Sequence, residues 1–333
     1  WEDEFRLLEE LLHAAAAKSD RSAFKSAWQR FRDSAPRPGR LRESLTQVGG
    51  ALRRAAAEPN EERGCDVDRL RQFQALFRVL REHTYNARPL PDVTSGWRFN
   101  RAFFETWFST FLAGVEFDIA AARRVVIDGK PLADRPLDSN AMLHTFRVLS
   151  DDADVGVRPA DGAEFLQLLC ARHRAMFPER DTGEAGCLRQ PHAHSVAGQL
   201  APELVRGTLL KGFELYRELQ EPFTRAAFML YLVRETHPFD EGSGRLARIM
   251  MNAELSAAGE MRILIPPVFA GDYWLALRAL ARDGDPEPFV RLLTRAHAFS
   301  AAIDFGDYDA TLAQLENGNA FMPPDRRIRI HEA

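Results

Sequence analysis

"HPFDEGSGRLAR", His237–Arg248, places a histidine, two acids, two glycines around a serine, and two arginines within twelve residues. The chain on either side is apolar. Phe223, Ala227, Phe228, Leu230 and Tyr231 precede it, and Leu246, Ile249, Met250 and Ala253 follow at helical spacing. The stretch reads as a polar loop held between two buried helices, and a loop anchored at both ends is rigid enough to carry a site. Gly242-Ser243-Gly244 falls where the second helix begins. Backbone N–H groups point out of a helix N-terminus, its dipole favours negative charge, and glycine lets an anion approach closely.

Arg245 and Arg248 share one face of that helix, and Asn252 continues it four residues on. Two guanidinium groups beside an anion hole suit a polyphosphate, since each can grip two oxygens. A carboxylate of the loop, Asp240 or Glu241, suits Mg²⁺ bound against those phosphates. His237 supplies a group that titrates near neutrality and can take a proton from an attacking hydroxyl. Together the parts describe phosphoryl or nucleotidyl transfer. Taken singly, each residue also has a plain reading: a glycine turn, a histidine cap, an arginine paired with a surface acid. Their concentration in one loop favours the chemical reading.

Outward from this loop the pattern is helical. Helices are expected at 67–81, 139–150, 162–176, 201–219, 222–235, 244–257, 271–282 and 286–303, and around Phe99, Phe103, Trp107 and Phe111, with Gly114 as the stop. Leu8, Leu11 and Leu12, and Phe24, Trp28 and Phe31, suggest further helices near the start. "NARPLPDVTSG" breaks the periodicity and reads as a boundary. A Pro- and Asp-rich connection is expected after Gly114, and a loop with a short hairpin in "DTGEAGCLRQPHAHSVAG". The expected divisions are an N-terminal helical region 1–90, a linker and packing segment 91–150, a core 151–303 and a tail 304–333.

The 333 residues, 45% hydrophobic and 28% charged, are enough for one large domain or two smaller ones. A net charge of -4 gives no basic footprint for nucleic acid. Cys65, Cys170 and Cys187 form no disulfide framework or CxxC pair, so a reducing cytoplasm is the expectation. No apolar run reaches the roughly 18 residues of a membrane span, and no signal peptide is read at Trp1.

The opening stretch resembles the signature of the Fic family, H-x-F-x-[D/E]-G-N-G-R-x-x-R. His237, Phe239, Glu241, Gly242, Gly244, Arg245 and Arg248 match in register, and Ser243 stands where asparagine is usual. The likeness runs across roughly residues 105–300. It implies an all-α fold: a Fic-type helical core with a short β-hairpin flap, plus additional N-terminal helices. It also implies transfer of AMP from ATP to a Ser, Thr or Tyr hydroxyl of a protein target, self-modification included. In that reading His237 is the base, Phe239 anchors the loop, Glu241 binds Mg²⁺ and Asp240 is the variable position. The backbone of Gly242, Ser243 and Gly244 holds phosphates, and Arg245 and Arg248 hold those that leave as pyrophosphate. The flap, with Leu188, Arg189, His192, His194 and Val196, aligns the target by strand addition. Tyr273 lies near the base or in the core.

"FSTFLAGVEF" resembles the inhibitory helix of the family, [S/T]-x-x-x-E-[G/N]. Ser109 takes its first position, and Ala113 stands where glutamate is expected, which would leave Arg248 free for the γ phosphate. Ser243 leaves other donors open, and with them transfer of another phosphate-containing group. A diverged domain acting as a nucleotide-binding regulatory module is the reading from a different class. The expected partners are ATP and a protein target, with a homodimer left open and neither membrane nor nucleic acid.

Overall fold

The computed structural model describes residues 64–178, 186–190 and 199–322. The expected helices near Leu8 and Phe24, and the flap residues His192, His194 and Val196, lie outside the described residues. The helices are α1 (Val67–Glu82), α2 (Ser95–Phe111), α3 (Ile119–Asp128), α4 (Pro136–Ser150), the short α5 (Asp152–Val155), α6 (Gly162–Met176), α7 (Pro202–Glu218), α8 (Pro222–Thr236), α9 (Ser243–Ala257), α10 (Ala270–Asp283), α11 (Glu287–Ala301) and α12 (Tyr308–Asn317). The fold is all-α, as expected. Among the described residues the one β feature is an isolated antiparallel bridge between Pro89 and Glu260. No described helix is long and apolar enough to cross a membrane.

The centre is the pair α8 and α9, joined by the motif loop. From Phe223 to Val233, α8 is apolar around most of its circumference, and such a helix has to be surrounded. Phe228, Met229, Leu230, Tyr231 and Leu232 are fully buried, as are Leu246, Ala247 and Met251 of α9. Pro222 opens α8 at the position where a missing N–H costs nothing. The helices α1 and α7 close the other side. Phe73 meets Phe228 and Tyr231 edge-on at 6.1 and 5.9 Å. A Cβ at Gly212 of α7 would lie 2.3 Å from Leu232 Cδ1 and 3.1 Å from the Phe73 ring, so glycine lets α7 approach α8 with these side chains in place.

Three features differ from the sequence reading. The expected boundary near residue 90 does not set α1 apart, because the apolar face of α1 is buried in the same core as α8. The connection after Gly114 contains a helix, α3. Asp118 caps its start by accepting from the Ala121 N–H, and Ala122, Val125 and Val126 are buried along one face. The segment after residue 303, expected as a tail, forms α12 and packs on the core. Tyr308 stacks on Phe104 at 5.5 Å, Arg123 lies over the Tyr308 ring at 3.9 Å, and Phe321 meets Trp107 at 5.1 Å. Enough aromatic surface is buried there to hold the segment down.

A buried ionic network ties α2 to α9 and to the chain that follows it. Arg98 and Arg101 of α2 meet Asp152 at 2.7 and 2.8 Å. Arg262 meets Asp152 at 2.7 Å and Glu105 at 3.2 Å, and also donates to the Leu149 carbonyl at 2.8 Å. Asn252 donates to Glu105 at 2.7 Å and to the Ile263 carbonyl at 3.0 Å. Asn252 shares a helix face with Arg248 in sequence, but its amide serves the core instead of the loop.

Candidate active site

The site begins where α8 ends. His237 is the residue after the last turn and takes the left-handed conformation, φ +43°. This is costly for a residue with a side chain, so it needs support. Arg189 supplies it. Its Nε donates to the His237 carbonyl at 2.7 Å, another nitrogen donates to the Leu200 carbonyl at 2.6 Å, and its own backbone N–H donates to the Pro238 carbonyl at 2.8 Å. Arg189 is therefore a buried clamp on the motif backbone. Its side-chain donors are spent on oxygens of the motif and of the chain near Leu200. Leu188, half-buried, packs against the core beside it.

The loop then folds over Phe239. His173 of α6 stacks on the Phe239 ring with centroids 3.9 Å apart and planes 7° apart. Its Nε2 donates to the Glu241 carbonyl at 3.0 Å, and its Nδ1 accepts the Gly186 N–H at 3.0 Å. These two contacts select the neutral imidazole with the proton on Nε2. Sequence reasoning missed His173, which gives no local signal because its partners lie 13 and 68 residues away.

Gly242 caps α9 at φ +76°, and a Cβ there would strike Phe177 at 2.5 Å, so glycine is required on both counts. No side chain caps α9. The first backbone N–H groups of a helix have no partner within it, which is what an anion hole requires. The Ser243 hydroxyl is turned away from that hole. It accepts the Phe239 N–H at 3.0 Å and donates to the Phe239 carbonyl at 2.9 Å. Ser243 thus locks the loop with its side chain and offers a ligand only its backbone N–H. At Gly244 a Cβ would meet nothing closer than Arg248 at 3.7 Å and Arg234 at 3.9 Å, ordinary contact distances that put two arginine side chains beside the start of α9.

The arginines are differently held. Arg245 lies over the Phe177 ring at 5.2 Å and 3.6 Å from the Glu241 carboxylate. Arg248 is not left free by the alanine at position 113. Its Nε donates to Ser109 Oγ at 2.8 Å and another nitrogen donates to the Ser109 carbonyl at 2.6 Å. A buried guanidinium must find acceptors, and α2 provides them. Ala113 sits in the exposed turn after α2, four residues beyond Ser109, and adds no acceptor side chain. Burial holds the Arg248 pKa below its ordinary value, while the nearby Tyr273 phenol acts to raise it. The Tyr273 ring is fully buried, so it is a core tyrosine, and its phenol acts on Arg248. Its oxygen has no well-formed hydrogen bond, and such an orphaned polar atom next to a cation marks a place where a ligand could complete the bonding.

His237 is pushed down to about 4, first by burial and then by the Arg234 charge. The imidazole is therefore neutral at physiological pH and able to accept a proton. A guanidinium nitrogen of Arg234 contacts His237 Nε2. Arg234 is the second residue missed from sequence. Its signal was present: an arginine three positions before the histidine, in the last turn of an otherwise apolar helix.

Residues 165–255, from α6 to α9, match the model of the Fic/DOC family. The protein adenylyltransferase fic-1 of Caenorhabditis briggsae is 27% identical over 151 residues, 44% of this chain and 30% of that protein. The protein adenylyltransferase Fic of Drosophila grimshawi is 32% identical over 129 residues, 36% of this chain and 26% of that protein. The matched stretches thus span about a third or less of these relatives. Among solved structures, a point variant of Fic-1 (residues 134–508) from C. elegans superposes with a TM-score of 0.50 at 19% identity, over 87% of this chain and 96% of that one. A Fic-domain signalling protein of Bacteroides thetaiotaomicron superposes with a TM-score of 0.50 at 17% identity, over 70% and 95%. Residues 165–255 are thus similar to the Fic/DOC family, and that stretch contains the whole of His237–Arg248, which resembles the family's signature.

Proposed function

We propose that the chain transfers AMP from ATP to a Ser, Thr or Tyr hydroxyl of a protein target, itself included. One observation carries the reading: a neutral imidazole, the uncapped start of α9 and convergent arginines meet in one loop. His237 takes the proton of the target hydroxyl as the oxygen bonds to the α-phosphorus. The bond from the α-phosphorus to the bridging oxygen breaks, and pyrophosphate leaves with the electron pair. The first N–H groups of α9 bind phosphate oxygens, Arg245 steadies the departing charge, and Arg248 joins it once Ser109 yields. The names of the relatives, protein adenylyltransferases, support this reaction.

A divalent cation fits this reading as something that arrives with the nucleotide. Among the described residues no three His, Cys, Asp or Glu side chains cluster to hold a metal. Mg²⁺ needs only one or two carboxylates when phosphates and water complete its shell. Glu241, exposed at the loop beside Arg245, would supply one. The cation would neutralise phosphate charge as pyrophosphate leaves. Ser243 favours a second reading, a different phosphate-linked donor, because its side chain contributes nothing to the phosphate side. The target, the homodimer and a reducing cytoplasmic setting belong to the proposal.

The test is incubation with labelled ATP and Mg²⁺, with the His237→Ala form alongside. Label should enter protein in the first and fall by about 10² or more in the second, the scale of a lost general base. Equal labelling of the two forms would remove His237 from the chemistry. A screen in which only another phosphate-linked donor labels the chain would shift the assignment to the second reading.

A further inference from the structure

Arg234 lies in the last turn of α8, where a cation would ordinarily face the helix's own terminal carbonyls. Its guanidinium instead crosses toward the start of α9. It sits over the Trp274 ring at 5.2 Å, a flat support that fixes its plane. Its Cδ and Nε lie 3.9 Å from where a Cβ of Gly244 would be, and Arg248 lies 3.7 Å from the same point. Among the described residues Arg234 forms no ion pair within 4 Å; its polar contact is the ring of His237.

Two consequences follow. First, Arg234 and Arg248 bring positive charge to the same side of a helix N-terminus, and Arg234 disfavours the charge of Arg248. Such an arrangement is completed by an anion with several oxygens. Ser243 has turned its hydroxyl inward, so Arg234 is the side chain on that flank of Gly244 that can donate. Second, a donor placed on His237 Nε2 occupies the lone pair with which that atom would accept a proton. A neutral ring nitrogen is a weaker acceptor than a phosphate oxygen, because charge-assisted hydrogen bonds are about twice as strong.

We propose that Arg234 is a third phosphate-binding arginine of the site and the cover of its base: it rests on His237 Nε2 while the site is empty and turns onto the polyphosphate when that binds, releasing the lone pair. The inference rests on the adenylyltransferase reading and goes beyond it. It links filling of the donor site to readiness of the base, so that His237 is exposed only when there is a phosphorus to attack. Arg234 is a binding residue toward the donor and a positioning residue toward His237.

The experiment uses the full chain, Arg234→Met and Arg234→Lys, with two readouts. Calorimetry with ATP and Mg²⁺ should show binding roughly tenfold weaker in Arg234→Met, the scale of one charged hydrogen bond, with the lysine form between the two. Adenosine, which has no phosphate, should bind all three alike. NMR titration of the His237 ring, without nucleotide, should show its pKa rising from about 4 in Arg234→Met. The groups facing the ring are Arg234 and the Glu235 carbonyl of α8, Arg69 of α1 and Arg189 of the 186–190 segment, and only the first changes. Equal ATP affinity in wild type and Arg234→Met overturns the proposal, and so does an unmoved His237 titration. A wild-type chain that binds no ATP overturns the adenylyltransferase reading and this proposal together, so the two failures are distinguishable. If the methionine form does not fold, the lysine form decides, since it keeps the charge and loses the fork.

Discussion

Arginines gather in two places in this molecule, and the company they keep differs. Between α2, α5 and the chain after α9, Arg98, Arg101 and Arg262 close on Asp152 and Glu105, and each meets a carboxylate within 3.2 Å. Around the start of α9, Arg234 lies on a histidine, Arg248 on a serine, and Arg245 reaches an exposed carboxylate at 3.6 Å. Both groups contain buried guanidinium, which is expensive unless matched. The first is matched internally and therefore holds the fold. In the second, Arg234 and Arg248 are matched by neutral acceptors that a phosphate can outbid, and Arg245 by a carboxylate exposed to solvent, so the group holds a place for a ligand.

The largest effect is expected in the first cluster. Arg262→Met should lower stability by about 3–5 kcal/mol, because it strands the buried Glu105 carboxylate. Urea unfolding measures this, and a loss under about 1 kcal/mol would mean the cluster is not structural in the sense argued. The next test gives the second cluster what it lacks. Ala113→Glu puts a carboxylate one turn from Ser109, and transfer should fall at least tenfold, on the scale of a charged hydrogen bond competing with phosphate for Arg248. Unchanged labelling would separate the turn after α2 from the site.

Acid should distinguish the clusters by where each fails. Burial works to raise the Asp152 carboxyl, but Arg98, Arg262 and Arg101 outweigh it and hold the pKa below its ordinary 3.8. Its contribution is present above that value and is lost only as pH falls through the lower folded pKa. His237 and His297 are instead held down to about 4 from 6.5, first by burial. Between those values the unfolded chain takes protons that the fold refuses, so their contribution is lost as pH falls from about 6.5 to about 4. Unfolding curves across that range should show stability declining, and less steeply in a His297→Gln form. A flat profile would mean these rings are not held neutral. The smallest effect expected is that of Ser243→Ala. It removes two loop hydrogen bonds and should cost about 1–2 kcal/mol in thermal unfolding, with ATP affinity nearly unchanged. A large loss of ATP affinity would show that the hydroxyl does reach the donor.

The motif loop was legible in the sequence because its parts are neighbours in the chain. Helix type was legible wherever apolar residues recur on one face, as in α1, α8 and α9. The helix α3 carried the same spacing at Ala122, Val125 and Val126, but its ten residues lie between aspartates and glycines that read as a connection. The acceptors that engage Arg248 were not legible, because Ser109 lies 139 residues away. Likewise Asn252 reads as a continuation of the arginine face until Glu105, 147 residues distant, claims its amide. Chemistry written locally can be read from a sequence. Which of several acceptors a buried donor finds depends on packing between distant helices.

The left-handed turn at His237 has a consequence of its own. Holding a side-chain-bearing residue there costs roughly 1–2 kcal/mol that glycine would avoid, and the strain falls on the residue assigned the chemistry. The supports are local: a guanidinium clamp from one short segment, the stacked His173 beneath the loop and the Ser243 hydroxyl within it. The strained turn of the motif and its reactive end are then the same place. On gentle warming, function should fade while the helical core is still intact, and cooling should restore it.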